Sequence, residues 1–197
     1  VNAGCMGFVT PRSFADDAAF AAALVQCREL TRGRPFGVNL TLSKRPEANT
    51  AVRRWMEIAL AHGVRHFETA GYAPGELIGT LHAAGAVVIH KAPGLRHALA
   101  AERAGADAVA LVGMEEGGHP GANELPTMLL GALAAEQLRV PVVLAGGIGH
   151  GRQLAAVLAQ GLDGVLIGSR FLVAEEIATH AAVSYTHLRA HETRHDL

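Results

Sequence analysis

Residues 86–113, AVVIHKAPGLRHALAAERAGADAVALVG, hold one full cycle of the pattern on which the chain is built. Residues 86–91 are apolar and β-branched up to His90-Lys91, which reads as a strand. Residues 95–104 read as a helix that stops at Gly105, a residue free to take the left-handed conformation that closes helices. Residues 108–113 form a second apolar run, again a strand. Strands joined through a helix run parallel, and strands apolar along their whole length are covered on both faces.

The same cycle extends in both directions. Upstream, residues 36–42 and 64–69 read as strands, and residues 14–31, 50–62 and 74–84 as helices. The first helix has Ser13, Asp16 and Asp17 at its start, and the other two stop at Gly63 and Gly85. Downstream, helices are expected over 125–138, 151–160 and 171–182, and strands over 141–145 and 164–168. Six strand-then-helix units define an α/β chain with a parallel sheet. Polar and glycine residues recur just after strand ends: Asn39, Thr69-Ala70-Gly71, His90-Lys91, Gly146-Gly147 and Gly168-Ser169. An open doubly wound sheet gathers such residues at one switch point, whereas a (βα)8 TIM barrel draws them from every strand. The expectation is therefore a truncated barrel, with the first strand missing and the second represented only by its end. Its domain is expected to span residues 1–183.

Composition narrows the partners. Half of the 197 residues are hydrophobic and the formal net charge is −1, so no basic surface points to nucleic acid or an anionic membrane. Cys5 and Cys27 have no metal-ligand spacing and read as free thiols. No apolar run approaches the ~20 residues of a membrane helix, and no leader pattern is present, so a cytoplasmic setting is expected. From Ser184 onward the alanine–valine character stops. His187, His191 and His195 recur every fourth residue there, as a metal-binding tail would have them. The segment also resembles translated read-through of a sequencing adapter, and residues 184–197 are expected to be a non-native, unstructured tail.

Two kinds of chemistry stand out. Leu144-Ala145-Gly146-Gly147 and Gly168-Ser169-Arg170 follow two consecutive strands. Backbone amides at such turns form an anion cradle, a frequent phosphate site in barrels, although glycines also serve tight turns alone. Residues 114–123 set Gly117, Gly118, Pro120 and Gly121 around His119. A neutral imidazole there can accept a substrate proton, or simply hold the loop. Of the adjacent Glu115 and Glu116, at most one is expected to face the site. Lys91 can bring a cation to a cofactor's polar edge or be a solvated strand end. Asn39, read as a strand end, can bond a heterocycle or cap a turn. His62, His66, His82 and His97 are expected on helices or helix ends, without a catalytic part.

These elements stand in a familiar order. Gly37-Val38-Asn39-Leu40-Thr41, Val88-Ile89-His90-Lys91, Gly117-Gly118-His119-Pro120-Gly121, Ala145-Gly146-Gly147 and Gly168-Ser169-Arg170-Phe171 resemble the motifs of nitronate monooxygenases. The resemblance covers roughly residues 1–183. It implies an FMN-binding barrel in which Asn39 and Lys91 contact the flavin ring, Gly117 lies beside it and His119 is the active-site histidine. Ala145, Gly146, Gly147, Gly168 and Ser169 would surround the FMN phosphate, and no metal is implied. Many members have Ser at the position of Ala145, Thr at that of Ser169, Cys-Thr in place of Ala92-Pro93, and Asp at Val112.

The implied activity is oxidation of an alkyl nitronate with oxygen to a carbonyl compound and nitrite. An alternative keeps FMN and changes the chemistry. Related barrels with a Glu-x-Gly-Gly-His element are enoyl-acyl-carrier-protein reductases, and some nitronate-monooxygenase-like proteins are NAD(P)H:quinone reductases. A third expectation is a non-catalytic fragment, which would bind FMN weakly and aggregate through unpaired strand edges.

Overall fold

The computed structural model describes residues 1–117, 125–174 and 176. Strands and helices alternate: β1 (Phe8–Val9), α1 (Asp17–Leu30), β2 (Gly37–Leu42), α2 (Thr50–Ala61), β3 (His66–Gly71), α3 (Gly75–Ala83), β4 (Val87–Ala92), α4 (Leu95–Arg103), β5 (Ala108–Val112), α5 (Thr127–Gln137), β6 (Val142–Ala145), α6 (Gly151–Ala159) and β7 (Gly164–Leu166). The strands stand in the sheet in chain order, β1 to β7, and the pairs β1–β2, β2–β3, β3–β4 and β6–β7 are parallel. Among the described residues, no helix is long and apolar enough to cross a membrane.

The chain groups into two compact units. Unit 1 comprises Val1–Ala92, Arg96–Val109 and Leu138–Pro141. Its core sets Val38, Phe67 and Val88 of the sheet against Phe20 and Leu24 of α1 and Met56 of α2, all 4 % exposed or less. Unit 2 holds Pro93–Leu95, Ala110–Gln137 and the described residues from Val142 onward, around buried Leu111, Leu130, Leu144 and Val157.

One turn closes several of these cycles. After α2, α3 and α4, the amides of Gly63, Gly85 and Gly105 bond the carbonyl three residues back. The next amides, of Val64, Ala86 and Ala106, reach five residues back to Ala59, Leu81 and Ala101. This seals the last carbonyls of each helix and sends the chain into the next strand. Aspartates then set strand register. In unit 1, Asp107 accepts the Val88 amide on its carboxylate (2.7 Å) and donates its own amide to the Val88 carbonyl (2.9 Å). In unit 2, Asp163 does the same with Val142, at 2.8 and 2.9 Å.

Several boundaries differ from the sequence reading. A two-residue strand, Phe8–Val9, precedes a 3-10 turn at Pro11–Ser13, so α1 begins at Asp17. Its cap is Asp16, whose carboxylate accepts the Ala19 amide at 2.8 Å. The proline and the turn keep the first residues of the expected helix out of helical geometry. His66 lies in β3, not on a helix end, because the turn after Gly63 is short. Asn39 sits within β2, which runs on to Leu42. The chain after β7 takes a 3-10 turn, Ser169–Val173, where a helix was expected from residue 171. Most of that helix, and the tail at 184–197, lie outside the described residues.

Candidate functional site

In unit 1 the strand register decides which side chains meet. Asn39 stands opposite Glu68, and Glu68 opposite Ile89, so the three share one face of β2, β3 and β4. Alternation puts Lys91, two residues beyond Ile89, on that same face. One carboxylate oxygen, Glu68 Oε1, receives both the Asn39 amide Nδ2 at 2.6 Å and the Lys91 ammonium at 2.7 Å. The Glu68 side chain is 5 % exposed and that of Lys91 31 %. The Asn39 carbonyl oxygen accepts from Thr41 Oγ1 at 3.2 Å. Lys91 has three N–H donors and the Asn39 amide two, so each keeps donor capacity beyond Glu68.

The opposite face of the same strands carries Thr69 and His90, both buried, with Thr69 Oγ1 3.0 Å from His90 Nδ1. Burial, and after it the neighbouring His97, push the His90 imidazole down to about 4. His97 on α4 is lowered by burial and then by Arg96, and its Nδ1 has no hydrogen-bond partner among the described residues. At neutral pH His90 is an uncharged member of the helix-facing core.

In unit 2 the organising residue is Thr127, the first of α5. Its hydroxyl lies 2.8 Å from Glu115 Oε2, 3.2 Å from the Ala145 carbonyl and 3.0 Å from the Gly146 carbonyl. Its amide donates to the same Glu115 oxygen at 2.9 Å. The Gly147 carbonyl accepts Gln153 Nε2 at 2.6 Å, and Gln153 Oε1 in turn accepts the amides of Gly149 and His150. In a planar trans peptide the carbonyl and the following N–H point opposite ways. Carbonyls turned to Thr127 and Gln153 therefore aim the amides of Gly146, Gly147 and Ile148 the other way. Gly146 and Gly147, at φ 104° and 65°, take left-handed geometry to do this.

Three chain segments meet at this turn. A Cβ on Gly146 would lie 2.7 Å from Thr127 Oγ1, and one on Gly147 would lie 3.0 Å from Glu115 Cβ. A Cβ on Gly117 would lie 2.7 Å from Ser169 Oγ. Gly168 caps the 3-10 turn, with the Phe171 amide on its carbonyl at 2.9 Å, and a Cβ there would meet nothing within 4 Å among the described residues. Ala145 is 4 % exposed and takes part through its carbonyl, which also accepts the Gly113 amide at 2.9 Å.

Of the residues singled out in the sequence, Asn39 and Lys91 meet in unit 1, and Gly117 meets Ser169 in unit 2 beside Ala145-Gly146-Gly147. His119 lies outside the described residues, as do Gly118, Pro120 and Gly121. Glu68 and Thr127 were not singled out. A glutamate next to Phe67 within an expected strand was a signal for the first, since carboxylates are seldom fully buried without a partner. Nothing distinguished Thr127 from an ordinary helix start.

The sequence profile of nitronate monooxygenase matches residues 1–197. A curated relative from Rhodococcus jostii, (3aS,4S,5R,7aS)-5-hydroxy-7a-methyl-1-oxo-octahydro-1H-indene-4-carboxyl-CoA dehydrogenase, is 36 % identical over 187 residues, 95 % of this chain and 50 % of that protein. The chain thus spans about half the length of such curated relatives. Among solved structures, FabK from Thermotoga maritima is 30 % identical with a TM-score of 0.82, over 93 % of this chain and 56 % of that one. Nitroalkane oxidase from Streptomyces ansochromogenes is 27 % identical with a TM-score of 0.76, over 93 % and 63 %. These neighbours are TIM barrels, and the truncated α/β barrel expected from the sequence is borne out. On the match along its whole length, the chain belongs to the nitronate monooxygenase family, a family of oxidoreductases that use flavin in general.

Proposed function

We propose that the chain supplies the FMN-binding part of a nitronate-oxidising enzyme. The observation that carries this is the turn after β6, where Gln153 bonds the Gly147 carbonyl and the Ala145 and Gly146 carbonyls lie on the side of the Thr127 hydroxyl, so that peptide planarity turns the following amides away from both. Such a row of N–H groups fits a phosphate's acceptor oxygens. In this reading Ala145, Gly146, Gly147, Gly168 and Ser169 take the phosphate of FMN, and Gly117 lies by the ring. Asn39 and Lys91, joined through Glu68, offer an amide and a cation to the polar edge of the ring. His119 removes the proton of a neutral nitroalkane or orients the nitronate anion. Bound FMN would supply the electron acceptor, with oxygen as co-substrate and a carbonyl compound and nitrite as products.

The domain in this proposal is residues 1–183, in a cytoplasmic setting, and residues 184–197 take no part. Titrating the purified protein with FMN, followed by quenching of flavin fluorescence, should give saturable binding. Anaerobic addition of an alkyl nitronate should then bleach the flavin. Binding without bleaching would remove the substrate and keep the cofactor.

A second reading, a flavin-dependent reductase of an acyl-thioester that draws its electrons from NAD(P)H, shares its substrate class with one relative. The Rhodococcus relative, whose name specifies a carboxyl-CoA dehydrogenase, aligns with 95 % of the chain. Rapid bleaching by NADH and none by a nitronate would select it.

A further inference from the structure

We propose that Glu68 is a positioning residue for the flavin, fixing both the direction and the net charge of the Lys91–Asn39 pair; this rests on the FMN reading given above. The register puts Glu68 on the central strand of three, between Asn39 on β2 and the strand that carries Lys91, all on one face. A single oxygen holds both nitrogens, at 2.6 and 2.7 Å. A side chain position only 5 % exposed is an expensive place for a carboxylate. An apolar residue would fill that volume at lower cost, but it would leave the lysine's flexible four-carbon stem unanchored.

Two consequences follow for anything placed against Lys91. Anchoring one of its three N–H groups on Glu68 restricts where the other two point. The carboxylate also offsets the ammonium charge, so a neighbouring ring senses a cation–anion pair and not a bare cation. A bare cation favours the electron-rich reduced flavin, and the pair does so much less. Glu68 therefore moderates how strongly Lys91 draws electrons onto the ring.

The test is the midpoint potential of bound FMN in wild type, Glu68→Gln, Lys91→Gln and the double variant, with FMN affinity measured alongside. Glu68→Gln keeps the shape and removes the charge. It is expected to shift the oxidised-to-reduced ratio about tenfold toward the reduced form, a rise of about 30 mV for a two-electron couple. In the Lys91→Gln background the same change should shift the ratio little, because no cation remains to unmask. An unchanged potential in Glu68→Gln, or an equal shift with and without Lys91, overturns the inference and leaves the cofactor reading standing. Failure of the wild-type protein to bind FMN overturns both. If Glu68→Gln does not fold, Glu68→Asp carries the test. It keeps the charge but withdraws the oxygen from both donors, so FMN affinity should fall about tenfold while the potential stays near wild type. Unchanged affinity would overturn the inference.

Discussion

A carboxylate held out of water is stable only while its partners stay in place, and among the described residues Glu68 has two. Replacing Lys91 with Met leaves the carboxylate with Asn39 alone. The expected loss is about 1–3 kcal/mol, below that of a fully buried pair because Lys91 is partly solvated. It should appear as a lower urea midpoint at unchanged slope. His90 gives a second residue-scale prediction. Its imidazole titrates near 4 in the folded protein, against an ordinary value of 6.5. Between those values the unfolded chain binds the proton and the folded chain does not, so stability present above pH 6.5 drains away as pH falls toward 4. The contribution is about 2 kcal/mol by pH 5. His90→Gln should remove that part of the slope, and equal slopes between pH 7 and 5 would refute the assignment. At this scale the sequence showed which residues carry chemistry but not how they pair. Lys91 and Asn39 stood out by type, whereas their common partner needed the register of three strands.

At the scale of elements, the alternation of apolar runs and terminal glycines was enough to place the helices from α2 to α6 within about two residues. It failed where the signal is short or local. Two residues cannot show a strand period, so β1 was invisible as a strand. Proline at residue 11 set a 3-10 turn ahead of α1, and Ser169–Val173 curls similarly after β7. The turn after β6 was legible as a glycine pair. The hydroxyl that packs against its carbonyls was not, since it comes from α5, about twenty residues earlier. Thr127→Val keeps the shape and removes that hydroxyl. The variant should lose about 1–3 kcal/mol of stability and bind FMN less tightly. Unaltered FMN affinity would show that the turn holds its shape without Thr127.

At the scale of the whole molecule, the barrel class followed from the chain itself, because strand-end polar residues recurred unit after unit. The grouping of residues did not. Unit 1 takes Arg96–Val109 and Leu138–Pro141 from well beyond its main stretch, and Pro93–Leu95 belongs to unit 2. Within unit 1 the returning segment is bonded in: the Val109 amide donates to the Pro141 carbonyl at 2.9 Å. Glu102 Oε1 accepts the amides of Arg139 and Val140, at 2.6 and 3.0 Å. A polypeptide of residues 1–92 alone should therefore lack native stability, readable as absence of a cooperative thermal transition. Glu102→Ala in the whole chain should cost about 1–2 kcal/mol by loosening that segment.

The same interleaving limits the routes by which such a chain can diversify. No single crossover point in its gene would transplant unit 1 or unit 2 intact into another protein, since each is written in alternating passages. The residues that join distant passages, Glu102 and Thr127 among them, must be inherited together with the segments they hold.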